Sequence, residues 1–262
     1  VDRVDVTNLF FKNSSSDRKQ NYVLKFGRNP EIDSYESETI WTLGDNYIFT
    51  TTPQPYFISS SDLNDNQTIS GELVAINDEC RYQSVSYDVT LQGQTKVQIP
   101  TPNNWLVIAS NRAFNNTGDL LQGEVYIYED TDIVLGIPLD LGKVRSHIAL
   151  GREQTEQAVY TVPEFIENGQ KVVFAELYNW HSAIINNKTT AGSVDLFVSE
   201  IGKTPKVKGS RGVSNTFNAE EIFGINTPLI VYGGSDVYLQ ASGFNINDVE
   251  IEGDFIINPV VL

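Results

Sequence analysis

The sequence predicts an all-β protein: two tandem antiparallel β-sandwich, jelly-roll-like domains preceded by an extended N-terminal arm. Three observations predict it. Short runs rich in Val, Ile, Tyr and Phe recur about every eight to twelve residues, between clusters of Gly, Asn, Asp and Pro. Several of these runs alternate apolar and polar side chains, the period of two that a half-buried strand requires. No amphipathic helical pattern of useful length occurs, and only Asn218-Ala219-Glu220-Glu221-Ile222-Phe223 could make a single helical turn.

Residues 1–36 read as the arm. The hydrophilic stretch Asn13-Ser14-Ser15-Ser16-Asp17-Arg18-Lys19-Gln20 lies between Leu9-Phe10-Phe11 and Tyr22-Val23-Leu24-Lys25-Phe26, which leaves room for one or two strands but no core. Polar termini are ordered only when tied down. The arm is therefore expected to lie against another protein chain, with Leu9, Phe10, Phe11, Arg18, Lys19 and Tyr22 as its contact residues.

Residues 37–150 read as the first sandwich. Its expected strands are Tyr47–Thr51, Glu72–Ile76, Ser84–Leu91, Lys96–Ile99, Trp105–Ala109 and Gly123–Tyr128. In Ser84–Leu91 the side chains of Val85, Tyr87, Val89 and Leu91 share one face. Gln92-Gly93-Gln94-Thr95 then supplies a turn, so Ser84–Leu91 and Lys96–Ile99 are expected to form a hairpin. Residues 151–262 read as the second sandwich, with strands at Ala158–Val162, Lys171–Tyr178, Ser193–Val198, Leu229–Tyr232, Asp236–Gln240 and Val249–Ile257. A single merged sandwich is the alternative.

Composition narrows the function. The chain has 262 residues, 40% of them hydrophobic, enough to build a core. With 34 acidic against 18 basic residues its formal charge is −16, which repels phosphate backbones and disfavours nucleic-acid binding. No apolar run approaches the roughly 20 residues of a membrane span. The single cysteine, Cys80, excludes an internal disulfide framework and is expected to be a small core or strand residue. The absence of methionine implies that the initiator has been removed, by ordinary trimming or by proteolytic maturation.

Catalytic patterns are sparse. His147 and His181 are far apart, and neither has metal-ligand spacing. No phosphate-binding glycine loop and no nucleophile elbow occurs. Cys80 has no activating neighbour in sequence. Glu124, Glu129 and Asp130 could serve as paired carboxylates only in the sense that any acidic β protein offers such pairs. Asp62-Leu63-Asn64-Asp65-Asn66 begins like a calcium loop, but Gln67 and Leu73 stand where an EF-hand needs Gly and Glu, so a solvated turn is the simpler reading. Trp41, Trp105 and Trp180 read as core or inter-sheet anchors, with stacking on a neighbouring subunit or a sugar as the alternative. No cofactor is expected.

Several short motifs occur in a recognisable order: Ser37-Glu38-Thr39-Ile40-Trp41, Ser59-Ser60-Ser61-Asp62, Leu73-Val74-Ala75-Ile76-Asn77-Asp78, and Tyr87-Asp88-Val89-Thr90-Leu91-Gln92-Gly93. Asn111-Arg112-Ala113-Phe114, Ile148-Ala149-Leu150-Gly151 and Tyr160-Thr161-Val162-Pro163 follow. This order resembles a family of tailed-bacteriophage virion structural proteins, over about residues 37–180. The chain departs from that pattern at Glu164-Phe165, where the family has Ala-Gly, and at Ala75-Ile76-Asn77-Asp78, where it has Gly-Leu-Asp. The resemblance implies no catalytic residue. It implies a non-enzymatic virion component, assembled in the bacterial cytoplasm as a homo-oligomer. Its partners would be other virion proteins: a major capsid protein that it decorates or cements, or neck, tail or baseplate proteins. A host carbohydrate-binding adhesin is the further alternative.

Overall fold

The structure, a computed structural model, describes residues 22–33, 36–166, 169–185, 191–200, 203–214, 219–222, 228–243 and 249–261. Among the described residues eleven strands precede residue 150: β1 (Val23–Ile32), β2 (Ser37–Thr39), β3 (Tyr56–Ser60), β4 (Thr68–Ile76), β5 (Tyr82–Thr90), β6 (Val97–Gln98), β7 (Leu106–Asn115), β8 (Val125–Glu129), β9 (Ile133–Val134), β10 (Ile137–Pro138) and β11 (Val144–Ile148). Eight follow: β12 (Val159–Thr161), β13 (Val172–Ile184), β14 (Ala191–Glu200), β15 (Lys206–Ser214), β16 (Ala219–Ile222), β17 (Leu229–Val231), β18 (Ser235–Gly243) and β19 (Val249–Val261). Among the described residues there is no α-helix, and the ladders between these strands are all antiparallel. The predicted all-β, antiparallel class therefore holds.

Two pairs of sheets each enclose an apolar core. Sheet β5-β4-β7 faces sheet β11-β8-β3-β6, and Ile58, Leu73, Tyr87, Val107 and Ile127 fill the space between them. Sheet β1-β19-β13-β16 faces sheet β12-β18-β14-β15, around Trp180, Phe255, Leu196, Leu239 and Ile40. Alternation decides which face each side chain takes. Along β8, Val125 and Ile127 enter the first core, while Tyr126 and Tyr128 point the other way. All five β8 residues are buried, so this strand is covered on both faces.

The covering material is a third cluster. Trp41, Tyr47, Tyr126, Tyr128, Val144, Val159 and Tyr238 pack together, with Phe49, Phe57 and Phe197 against them. Segment 41–49 thus lies between the outer faces of β8 and β18. The stretch Tyr47–Thr51, expected as a strand, is this filler and pairs with no sheet. Its rings form a relay: Trp41 to Tyr47 at 5.1 Å, Tyr47 to Phe49 at 4.9 Å, Phe49 to Tyr238 at 5.2 Å and Tyr238 stacked on Phe197 at 5.1 Å. Their edge-to-face and stacked geometries add to the area they bury.

Four further expectations are corrected. The arm does not extend to residue 36, because β1 pairs with β19 from Val23 to Ile32 and β2 pairs with β18. Residues 23–39 thus belong to sheets made with the far end of the chain. Their inward residues Lys25, Gly27 and Asn29 are polar or small, which hid the strand from an apolar-pattern reading. Gly27 is required there: a Cβ would run into the Ala158 nitrogen and the Ile40 oxygen. The hairpin expected at Gln92–Thr95 is instead a crossover, since β5 pairs with β4 while β6 pairs with β3 in the opposite sheet. Leu91 and Ile99 reach the same core from its two sides. Residues 219–222 form strand β16 rather than a helical turn. Cys80 is exposed at a positive φ of 58° in the turn between β4 and β5, not in a core. The Asn77 side chain shapes this turn by accepting from the Glu79 and Arg81 nitrogens, both at 3.0 Å.

Candidate functional site: a polar joint and an exposed apolar hairpin

Glu38, Trp41, Asn111 and Thr161, from three of the motifs, meet at the joint between the two cores. Glu38 is buried, and its carboxylate accepts from Asn29 Nδ2 at 2.9 Å and from the Asp33 and Asp45 nitrogens at 2.7 and 2.9 Å. It thereby satisfies two backbone donors in the turns around β2. Thr39 Oγ1 accepts from the Tyr47 nitrogen, Ile40 enters the second core, and Trp41 opens the aromatic relay with its Nε1 donating to the Gly44 oxygen at 2.6 Å.

Asn111 is the polar centre. The β4–β7 ladder shifts register between the pairs Glu72↔Arg112 and Leu73↔Ser110, which leaves Asn111 as the extra residue of a bulge. Its side chain reaches β12 and imitates a strand pair: Nδ2 donates to the Thr161 oxygen at 3.0 Å, and Oδ1 accepts from the Thr161 nitrogen at 2.9 Å. Nδ2 also donates to Glu72 Oε1 at 3.2 Å. Its main-chain oxygen accepts from Lys25 Nζ. Thr161 Oγ1 in turn donates to Asp236 Oδ1 at 2.7 Å. Burial drives the Lys25 ammonium down to about 7, against the pull of Glu72, and drives the Asp236 carboxyl up to about 7, against the Thr161 hydrogen bond.

A second polar network lies nearby. Arg145 and Glu129 are both buried and pair across β11 and β8, with Arg145 Nη2 2.6 Å and Nε 2.9 Å from Glu129 Oε1. Thr50 Oγ1 at 2.5 Å and Gln54 Nε2 at 2.6 Å complete the shell of the carboxylate. Every oxygen of the pair is used, the condition under which a buried ion pair is tolerated.

The remaining sequence candidates are dispersed. Glu124, Glu129 and Asp130 have separate partners: His147 with Tyr126, Arg145, and Lys96. His147, 3.9 Å away, and the Tyr126 hydroxyl hold the Glu124 carboxyl down to about 2. His181 lies 3.8 Å from Asp254, away from that group. In the Asp62–Asn66 turn, Asp65 is buried and accepts from Ser60 Oγ, Gln122 N and Gly123 N at 2.6 to 3.0 Å, so its oxygens are spent on the fold. Among the described residues no three His, Cys, Asp or Glu side chains gather as a metal site would need. Trp180 and Trp41 are buried anchors, whereas Trp105 caps a turn by donating to Asp78 Oδ1 at 3.0 Å. Of the arm residues, Tyr22 packs on Tyr178 of this same chain at 5.6 Å; Leu9, Phe10, Phe11, Arg18 and Lys19 lie outside the described residues.

Two surface features carry no signal in the sequence. The β9–β10 hairpin leaves Val134, Leu135, Ile137, Leu139 and Leu141 exposed beside exposed Ile48. Its turn places Leu135 at φ 50° and Gly136 at φ 76°. A leucine in the left-handed region costs about 1 kcal/mol or more. Ile133, Val134, Leu135 and Ile137 do appear in the sequence as an apolar run, but nothing in the run says that it faces outward. The second feature is a cleft of about 360 Å³ lined by Tyr82, Glu200, Tyr232 and the Gly233-Gly234-Ser235 turn. Tyr232 is exposed at its rim.

No protein-family model matches the chain, and no curated protein does. Solved structures align at low similarity. That of infectious bursal disease virus Gt strain is 10% identical, with a TM-score of 0.23 over 95% of this chain and 74% of that one. The VP2 subviral particle of the same virus gives 10%, 0.23, 94% and 74%. The PBSX exported protein XepA gives 12%, 0.17, 89% and 86%. At such scores the likeness decides nothing about function.

Proposed function

We propose that this chain is a non-enzymatic structural component of a tailed-bacteriophage virion, and that it decorates or cements the capsid by binding neighbouring virion proteins. The exposed apolar hairpin at residues 133–141 carries the proposal. Five large apolar side chains of this stretch, with Ile48 next to Gly142, lie bare on a chain of charge −16, and Leu135 among them sits in a strained turn. Apolar surface of this kind is the usual mark of a protein contact, and strain retained in a loop points to use. The motif order supplies the setting. Rigidity comes from Glu38, Trp41, Asn111 and Thr161, which tie one core to the other. Repetition around a particle then converts a weak single contact into firm attachment.

The test is incorporation. Particles carrying Leu135→Asp and Leu139→Asp together should lose the protein, while the isolated variant keeps its β circular dichroism and melting temperature. Copy number in purified wild-type particles should track the capsid lattice. A number matching the tail axis instead moves the protein to neck, tail or baseplate, and absence from particles ends the proposal.

The cleft between Tyr82 and Tyr232 favours a second reading, a host carbohydrate-binding adhesin. An exposed tyrosine beside a carboxylate and a glycine turn offers a stacking face and hydrogen-bond acceptors for a sugar. Glycan-array binding lost in Tyr232→Ala would support it, and an array without a hit would remove it.

A further inference from the structure

We propose that Lys25 and Asn111 become joined by an intramolecular isopeptide bond, with Glu72 carrying the proton between them. The cluster at the β7 bulge brings the parts of an acyl transfer together inside the fold. Lys25 is 5% exposed, and its Nζ lies against the main-chain oxygen of Asn111, the residue whose side chain would be attacked. Its hydrogen bond goes to that carbonyl rather than to a carboxylate, and Arg112 adds positive charge nearby. Burial lowers the ammonium to about 7, so near neutrality a large share of Lys25 is the free amine, the nucleophilic form.

The electrophile is held ready. The Thr161 nitrogen donates to Asn111 Oδ1 at 2.9 Å, where negative charge grows as Cγ becomes tetrahedral. Asn111 Nδ2, the leaving nitrogen, lies 3.2 Å from Glu72 Oε1. Glu72 is also the residue whose charge most favours the Lys25 ammonium, which places its carboxylate near both nitrogens. Fixed placement inside one chain replaces an encounter between molecules.

The step balances without any co-reactant. The Lys25 Nζ lone pair forms a bond to Asn111 Cγ, and the carbonyl π pair moves to Oδ1. Glu72 takes a proton from Nζ and delivers it to Nδ2. The Oδ1 pair then returns, the Cγ–Nδ2 bond breaks and ammonia leaves. The product is a secondary amide that ties β1 to β7 across the joint. Lys25 serving only to satisfy the orphan carbonyl of the bulge would release no ammonia, so mass separates the two roles.

The experiment is intact-mass spectrometry of the denatured full chain. The expected mass is that of the sequence less one ammonia. Trypsin should then fail to cut after Lys25, and a branched peptide should join residues 20–28 to residues 97–112 through Lys25 and Asn111. Lys25→Met and Glu72→Gln should each restore the ammonia. The full sequence mass in the wild-type chain overturns the bond. So does a lost ammonia with Lys25 still cleaved, which would be a succinimide at an asparagine. A Glu72→Gln chain crosslinked to the wild-type extent overturns the role of Glu72. The wild-type mass decides the main question even if neither variant folds.

Discussion

The joint and the apolar hairpin are opposite uses of the same β framework. At the joint, polar groups are buried and matched: Asn111 with Thr161, Thr161 with Asp236, Glu129 with Arg145. At the hairpin, apolar groups are exposed and unmatched, on a turn that a leucine occupies at a positive φ. Of the motif residues, Glu38, Trp41, Asn111 and Thr161 build the first region, while Ser59 supports the second by donating to the Gly136 oxygen at 2.7 Å. The polar joint and the apolar hairpin thus divide two tasks, holding the cores together and leaving apolar surface bare. Changes at the joint should cost stability and spare recognition. Changes at the hairpin should do the reverse.

The largest effect should come from the buried ion pair. Arg145→Met leaves Glu129 buried with Thr50 and Gln54 but without a countercharge. Removing one partner of such a pair costs about 3–5 kcal/mol. Chemical denaturation followed by tryptophan fluorescence should show that loss, with the aromatic relay next to it released first. A midpoint that does not move would mean that the joint is not held by this pair.

Next comes Thr161→Val. The substitution keeps the backbone bonds to Asn111 and removes the hydroxyl that donates to Asp236. Leaving a buried acceptor unsatisfied costs about 1–3 kcal/mol, so the melting temperature should drop by less than in Arg145→Met. The Asp236 carboxyl should also titrate higher still, because the Thr161 bond is what opposes the rise caused by burial.

The joint also predicts a pH profile. Asp236 titrates near 3.8 in an unfolded chain and at about 7 when folded, so the folded state binds the extra proton between them and stability falls as pH rises through that window. Lys25 titrates near 10.5 unfolded and at about 7 folded, so the unfolded state binds the extra proton there and stability rises as pH climbs above 7. In a chain whose Lys25 is still a free amine, the two together put a minimum of melting temperature near neutral pH. Asp236→Asn should remove the fall on the acid side. A Lys25 already converted to an amide no longer titrates, so a flat alkaline side is what a crosslinked chain would show.

Sequence made much of this architecture legible, and the reasons for the rest are physical. Strands such as β5 and β14 alternate because one face meets a core and the other meets water, and that contrast is written in the residues. β15, Lys-Val-Lys-Gly-Ser-Arg-Gly-Val-Ser, lies at a sheet edge and buries only Gly209 and Val213, so its pattern is nearly silent. Lysines at such an edge discourage pairing with another chain. The crossover at Gln92–Thr95 looks like a hairpin in the sequence because turn chemistry is local, whereas the choice of partner sheet depends on where Leu91 and Ile99 find the core. The joint was invisible for a related reason. Lys25, Glu72, Asn111, Thr161 and Asp236 come from five different strands, and only the closed fold makes them neighbours.

The smallest effect is at the hairpin, and it separates the two regions most sharply. Leu135 sits at φ 50° with its side chain in water, so it contributes strain and little packing. Leu135→Gly relieves the strain but enlarges the freedom of the unfolded chain. The two terms nearly cancel, which puts stability within about 1 kcal/mol of wild type and leaves its sign open to measurement by thermal melting. Incorporation into particles should still fall, because the most exposed apolar contact of the turn is gone. A variant as stable as wild type but absent from particles would show that leucine is kept there for a partner. Normal incorporation would shift the contact to Leu139 and Leu141, where the turn carries no strain.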